Sequence, residues 1–201
     1  MDEQSILLDG VCREVYPYLA TPPAQRASLA DARIDLFAFT HDHRDHFDPD
    51  FAYPLATPIV GTADVAAALP GNAVCSQSIH AGRVEITPVE TRHMGKASAG
   101  EHVSFVVKGS RCVWFMGDAS PVELLKLRPF PKPDVLVVPF PYVSSPGAVR
   151  KVIEWNPEQV VVVHLPLKEQ DPDGLWRAVS EYAKLLTMPV WTPEIGQTIL
   201  L

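Results

Sequence analysis

Two stretches of this chain are apolar from end to end, "VLVVPF" (135–140) and "VVVV" (160–163), and "LFAF" (36–39) is a third of the same kind. A strand with one wet face alternates apolar and polar residues, so an unbroken run marks a strand covered on both faces. Segments with helical spacing lie between such runs. "PGAVRKVIEW" (146–155) carries proline in its first turn, and "DGLWRAVSEYAKLL" (173–186) gathers Leu175, Trp176, Val179, Tyr182, Ala183 and Leu186 on one side. Buried strands alternating with such helices require sheets covered by helices, so the expected class is α/β.

The remaining map is made of short elements, as befits a chain with 20 prolines. "SILLD" (5–9), "TPIVGT" (57–62) and "RVEITPVE" (83–90) read as strands, and "ADVAAAL" (63–69) as a short helix. A loop is expected around Pro22 and Pro23. "HVSFVVKGSRCVWFMG" (102–117) reads as a hairpin turning at Lys108-Gly109-Ser110, and "PVWTPEIGQTILL" (189–201) as a closing strand pair turning near Glu194-Ile195-Gly196. The chain shows no strong linker or repeat, so one domain over 1–201 is expected.

Four of these strands end just before a residue that can bind a metal. His41 follows the 34–39 strand, His93 the 83–90 strand, Asp118 the strand ending near 116, and His164 the 158–163 strand. Ligand sites in α/β sheets lie beyond strand C-termini, so these side chains meet in one cleft if the ends share an edge. The first of them opens "THDHRDHFD" (40–48), which holds three of the chain's seven histidines. Residues two apart in an extended segment point the same way, which puts His41, His43 and Asp45 on one side, with His46 beginning the next turn. Imidazoles and carboxylates together suit zinc, manganese or iron.

On these residues the chain resembles the metallo-β-lactamase superfamily. Its HxHxDH motif stands as His41-Asp42-His43-Arg44-Asp45-His46, its later ligands as His93 in "TRHMG", Asp118 in "MGDAS" and His164 in "VVVHLP". The wording is most similar to the simple hydrolase branch that includes ascorbate-6-phosphate lactonase. The resemblance implies a four-layer αββα sandwich holding two divalent ions, with zinc expected first and manganese or iron as alternatives. It implies that His41, His43 and His93 bind one ion, that Asp45, His46 and His164 bind the other, and that Asp118 bridges them. It also implies a hydrolase that uses metal-activated water on an ester, lactone, amide or phosphodiester, with Asp45 orienting the water and moving its proton. Superfamily members usually carry one or two strands and a Gly-His-Ala or Gly-His-Ser element before the strand that matches "SILLDG". This chain reaches it within a few residues, so an N-terminally shortened fold is expected. The first sheet then has an unpaired edge, which must be short, covered by residues 16–24 or paired in a homodimer.

Other residues read more plainly. His80 and His102 match no motif position and are expected at the surface or at strand ends. Asp42 and Asp48 either orient imidazoles or are ordinary loop residues, and Arg44 points away from its neighbours. Lys168, Tyr142 and Ser144 are candidates to line the cleft. The formal net charge of −7 and the lack of a Lys/Arg block disfavour nucleic acid, leaving a small molecule as the expected substrate. No apolar run approaches the roughly 20 residues of a membrane span, and the acidic start does not read as a signal peptide, so the cytoplasm is expected. Cys12, Cys75 and Cys112 are far apart in sequence and form no expected disulfide. The alternatives are a phosphodiesterase or nuclease of the same fold, a metal-binding protein without turnover, and an iron redox protein.

Overall fold

The computed structural model describes residues 4–53, 57–72, 74–95 and 100–200. Its first part comprises β1 (Ile6–Leu8), α1 (Pro23–Asp31), β2 (Leu36–Ala38), α2 (Pro49–Ala52), β3 (Ile59–Val60), α3 (Ala63–Ala68) and β4 (Val74–Cys75). These four strands pair in parallel in the order β1-β2-β3-β4. The second part comprises β5 (Ile79–Ala81), β6 (Val84–Glu90), β7 (Val103–Lys108), β8 (Cys112–Phe115), β9 (Val135–Pro139), α4 (Pro146–Trp155), β10 (Gln159–Val163), α5 (Leu175–Ala183) and β11 (Val190–Trp191). It forms a seven-stranded sheet in the order β11-β10-β9-β8-β7-β6-β5. β5 to β8 pair antiparallel and β8 to β11 parallel.

Residue parity along the strands separates the layers. Phe37, Phe39 and Ile59 pack with Phe47, Phe51, Val65 and Leu69 beneath the first set of helices. Leu36, Ala38 and Val60 face the other way and meet Ile86, Phe105 and Phe115 of the second sheet. Beyond that sheet, Trp114, Leu136, Val138, Val160 and Val162 pack with Val149 and Val152 of α4 and Val179 of α5. Helix–sheet, sheet–sheet and sheet–helix cores in succession make the αββα sandwich. The two unbroken apolar runs are β9 and β10, covered on both faces. Burying a Val or Leu side chain is worth roughly 1.5–3 kcal/mol, and these strands supply several.

Two expectations are corrected. The Pro22-Pro23 segment starts α1 rather than a loop. Proline fits the first turn of a helix because its fixed φ suits it and its missing N–H has no partner there in any case. α1 buries no residue completely, which is why its periodicity is faint in the sequence. The closing strand pair does not form among the described residues: β11 stops at Trp191, and Gln197 N–H bonds back to Glu194 O at 3.0 Å. Pro193 brings no donor to a ladder and Gly196 takes a left-handed φ of 77°, so this segment turns instead of pairing. The first sheet's edge strand, β1, is only three residues long.

Candidate metal centre

β6, β8 and β10 run the same way, because β7 is antiparallel to both β6 and β8, and β8, β9 and β10 are mutually parallel. Their C-terminal ends therefore share one edge and carry His93, Asp118 and His164. Val103 N–H donates to Thr40 O at 2.9 Å, which ties the end of the first sheet to the same edge of the second. His41, His43, Asp45 and His46 arrive from that first sheet.

The structure brings all the residues named from the motif together. One ligand atom each from His41, His43 and His93 falls within 4.8 Å of the others, and the same holds for Asp45, His46 and His164. Asp118 lies between the two groups. Its carboxylate is 3.4 Å from His46 Nε2, 3.3 Å from His93 Nε2 and 3.4 Å from His164 Nε2. Asp45 Oδ2 is 3.3 Å from His164 Nε2. The donor types and convergence of the two groups let each hold a divalent ion.

Hydrogen bonds at the back of the rings fix what they present to the centre. Thr40 Oγ1 donates to Asp9 Oδ2 at 2.6 Å, so it accepts from His41 Nδ1 at 2.9 Å. His46 Nδ1 donates to Asp9 Oδ2 at 3.0 Å, and His93 Nδ1 donates to Met94 O. Each of these rings thus carries its proton on Nδ1 and turns an Nε2 lone pair inward. The inward Nε2 atoms of His41, His46 and His93, together with Asp118 Oδ1, are buried without a hydrogen-bond partner. Buried polar atoms normally find partners, and a cation in each of the two groups would satisfy all four.

The charges reflect the crowding. Burial lowers the pKa of His46, but the nearby Asp118 carboxylate and the hydrogen bond to Asp9 outweigh it and push the ring up to about 11. Burial raises Asp118, yet His46 and His93 hold its carboxyl well below the usual range. Burial and the neighbouring His46 and His102 push His41 far down. A proton and a metal ion therefore compete for the lone pair of His46, while that of His41 is open.

Two backbone details place the last ligands. Gly117 has φ 52°, and a Cβ there would stand 2.6 Å from Thr40 Cγ2, so only glycine permits the turn that delivers Asp118. His164 also has a positive φ, 59°, in a region that costs a non-glycine residue on the order of 1–3 kcal/mol. Such strain concentrates at functional sites.

Several supporting residues were not legible as such. Asp9 holds Thr40 N–H at 2.7 Å as well as Thr40 Oγ1 and His46. It stands directly past the end of β1, so the strand-end rule that selects the ligands also selects Asp9. His102 stands at a strand end, directly before β7, but it is not a surface residue: it is 3 % exposed, and its Nε2 accepts from Asp118 N–H at 3.0 Å. Its Nδ1 then donates to Thr91 Oγ1 at 2.8 Å. Glu123, 3 % exposed, accepts from the Arg92 amide at 3.0 Å and from Lys126 at 3.0 Å, and so braces the loop before His93. The Tyr18 ring packs against His164 at a tilt of 59°, with ring centroids 4.3 Å apart.

Other candidates lie outside the cluster. Asp42 and His80 are exposed. Asp48 holds arginines rather than imidazoles: it accepts from Arg13 Nε at 2.8 Å and from Arg26, and caps α2 through Asp50 N–H. Tyr142 is buried with its hydroxyl on Ser120 O at 3.0 Å, and Ser144 bonds Pro141 O at 3.1 Å, so neither is among the residues lining the cleft. Lys168 is a surface lysine paired with Glu194 at 3.3 Å.

His102 gives a pH prediction for the metal-free protein. Burial and the charge of His93 lower its pKa to about 3 from the ordinary 6.5. As pH falls through 6.5 the unfolded chain takes up a proton that the folded one refuses, so stability drops until about pH 3. Thermal melts of chelator-treated protein between pH 7 and 4 are expected to fall less steeply for His102→Gln than for the wild type. Parallel curves would show that the ring does not stay neutral.

Comparison with known proteins agrees with the fold. A protein of Methanopyrus kandleri named as a metal-dependent hydrolase is 25 % identical over 198 residues, covering 87 % of this chain and 86 % of its own. The crystal structure of a possible metal-dependent hydrolase from Veillonella parvula superposes with a TM-score of 0.74 at 19 % identity, over 100 % of this chain and 94 % of that one. CmlA, a diiron β-hydroxylase from Streptomyces venezuelae, superposes with a TM-score of 0.65 at 15 % identity, over 93 % of this chain and 49 % of that one. The family model described as the β-lactamase superfamily domain matches residues 5–171, and with the sandwich and its edge cluster in place, the chain belongs to that family.

Proposed function

We propose that the protein is a metal-dependent hydrolase with two divalent ions at the sheet edge. In this reading His41, His43 and His93 hold one ion, Asp45, His46 and His164 hold the other, and Asp118 bridges them. The observation that carries the reading is the set of inward, unpartnered Nε2 atoms around Asp118. The name of the Methanopyrus kandleri relative points the same way. When bound, such ions polarise a substrate oxygen and lower the pKa of water from about 15.7 to near 7.

The chain's own residues supply the rest. Burial raises Asp45, but the hydrogen bond with His164 and the charge of His46 keep it below the usual carboxylate range, so it is ionised at neutral pH. Asp45 is then a base able to orient an attacking water and take its proton. His46 and His41 are locked by Asp9 and Thr40, so the donors are arranged before substrate arrives. The substrate class is an ester, lactone, amide or phosphodiester.

Metal analysis of protein purified from its own source is the direct test, joined to a panel of nitrophenyl esters, lactones and bis-p-nitrophenyl phosphate. About two equivalents of zinc, manganese or iron per chain are expected, with hydrolysis lost on chelation and restored by one of these metals. Full metal occupancy with no turnover on any panel member would favour a binding protein instead. Iron-dependent hydroxylation would favour a hydroxylase, as CmlA is named.

A further inference from the structure

A cavity of about 880 Å³ opens from the Asp45, His46, Asp118 and His164 side of the centre. Residues 8–29 form one wall, and residues 163–167 and 195–198 form the other. Leu8, Tyr18, Leu29, Leu165, Leu167 and Ile195 give it an apolar lining, and Thr21, Gln25, Ser28 and Thr198 add uncharged polar points. Among the described residues that line it there is no Lys or Arg, and the acids are Asp9, Asp45 and Asp118, all at the centre itself. Nearby cations are engaged elsewhere: Arg26 on Asp48, and Lys168 on Glu194 and over the Trp176 ring. Leu19 and Ile195 remain 39 % and 56 % exposed at the rim, an apolar entrance for a chain such as this.

We propose that this cleft binds the substrate's non-reacting arm, and that the arm is uncharged and mainly apolar: an acyl or aryl group of an ester, lactone or amide. The proposal rests on the hydrolase reading above and narrows it. The cleft is continuous with the candidate metal centre, so an arm lying in it presents its reacting carbonyl there. A phosphate or carboxylate on the arm meets no counter-charge along either wall, and desolvating it without a partner is costly. An alkyl or aryl arm gains affinity from the leucines and Tyr18, as in pockets of this size that combine an apolar lining with a few polar points. Gln25 sits in the wall contributed by α1 and is not among the proposed ligands, which makes it a place to change the cleft's charge.

The test compares p-nitrophenyl hexanoate with the mono-p-nitrophenyl ester of adipic acid, which differs in ending in a carboxylate. The wild type is expected to prefer the neutral ester in kcat/KM by about 10-fold or more. Each methylene added to the neutral arm is expected to raise kcat/KM about 3- to 4-fold until the cleft is full. Gln25→Lys should bring the two esters to near parity, mainly through KM. A second readout is independent of turnover: binding of the neutral fluorophore N-phenyl-1-naphthylamine to the purified protein. That binding should survive Asp118→Ala and weaken in Gln25→Lys. Equal use of the two esters, or a ratio unmoved by Gln25→Lys, would overturn the assignment of the cleft while leaving the hydrolase reading intact. Binding of the fluorophore that weakens in Gln25→Lys, with no ester, lactone, amide or phosphodiester hydrolysed by the metal-loaded protein, would support the cleft and overturn the hydrolase reading.

Discussion

Asp118→Ala is expected to reduce kcat/KM by on the order of 10³-fold and to lower bound metal from about two equivalents toward one or none. The carboxylate lies within 3.4 Å of imidazoles from three separate chain segments, those of His46, His93 and His164. Without it, the two clusters lose their common acceptor, and the His93 ring loses the negative charge it shares with His46 and His164. His46 should respond most clearly, because Asp118 and Asp9 together keep its proton bound to about pH 11. In the metal-free wild type, the stabilisation from that raised pKa is complete below pH 6.5 and fades as pH climbs through about 11. Asp118→Ala should shrink this alkaline limb. Elemental analysis and pH-resolved melts measure both effects. Unchanged metal content and activity would refute the bridging role.

Asp9→Ala should produce the second-largest effect, and a different one. Asp9 contacts no group proposed as a ligand except through His46 Nδ1, yet it accepts from the Thr40 amide, the Thr40 hydroxyl and that ring. Removing a charged acceptor with three buried or half-buried donors is expected to cost about 3 kcal/mol of stability. Metal affinity should fall roughly 10- to 100-fold, because the orientation of His46 and, through Thr40, of His41 is lost. Asp9→Asn should recover part of the stability by keeping one acceptor oxygen. Equilibrium unfolding with and without chelator separates the two contributions. Equal loss in both conditions would mean that Asp9 serves the fold alone.

The sequence made the central strands, the late helices and the cluster legible, each for a physical reason. β9 and β10 show as unbroken apolar runs because helices cover one face of both and the other face is largely closed as well, for β9 by the first sheet. His41, His93, Asp118 and His164 show because the strand-end rule needs only local information. The convergence of these residues depends on strand direction, which the pairing of β6, β7 and β8 supplies and no local pattern encodes. α1 stayed hidden because it buries no residue completely, so its apolar spacing is weak. The final segment reads as a strand pair because Ile195, Leu200 and their neighbours look like strand residues, while Pro193 and Gly196 decide the backbone. His102 stayed hidden because its role is to accept from Asp118 N–H, a contact across 16 residues that spacing alone does not reveal.

The way the cluster straddles the sandwich bears on how this protein comes apart. His41, His43, Asp45 and His46 hang from one sheet, and His93, Asp118 and His164 from the other. Any ion held across that divide works as a clasp between two layers that otherwise meet mainly through side chains such as Leu36, Ala38, Ile86 and Phe105. The three cysteines are free, so no covalent bridge does this work. Resistance to unfolding and to protease should then track the free metal concentration, rising as RT ln(1 + [M]/Kd). Metal starvation would loosen the scaffold as well as silence the chemistry.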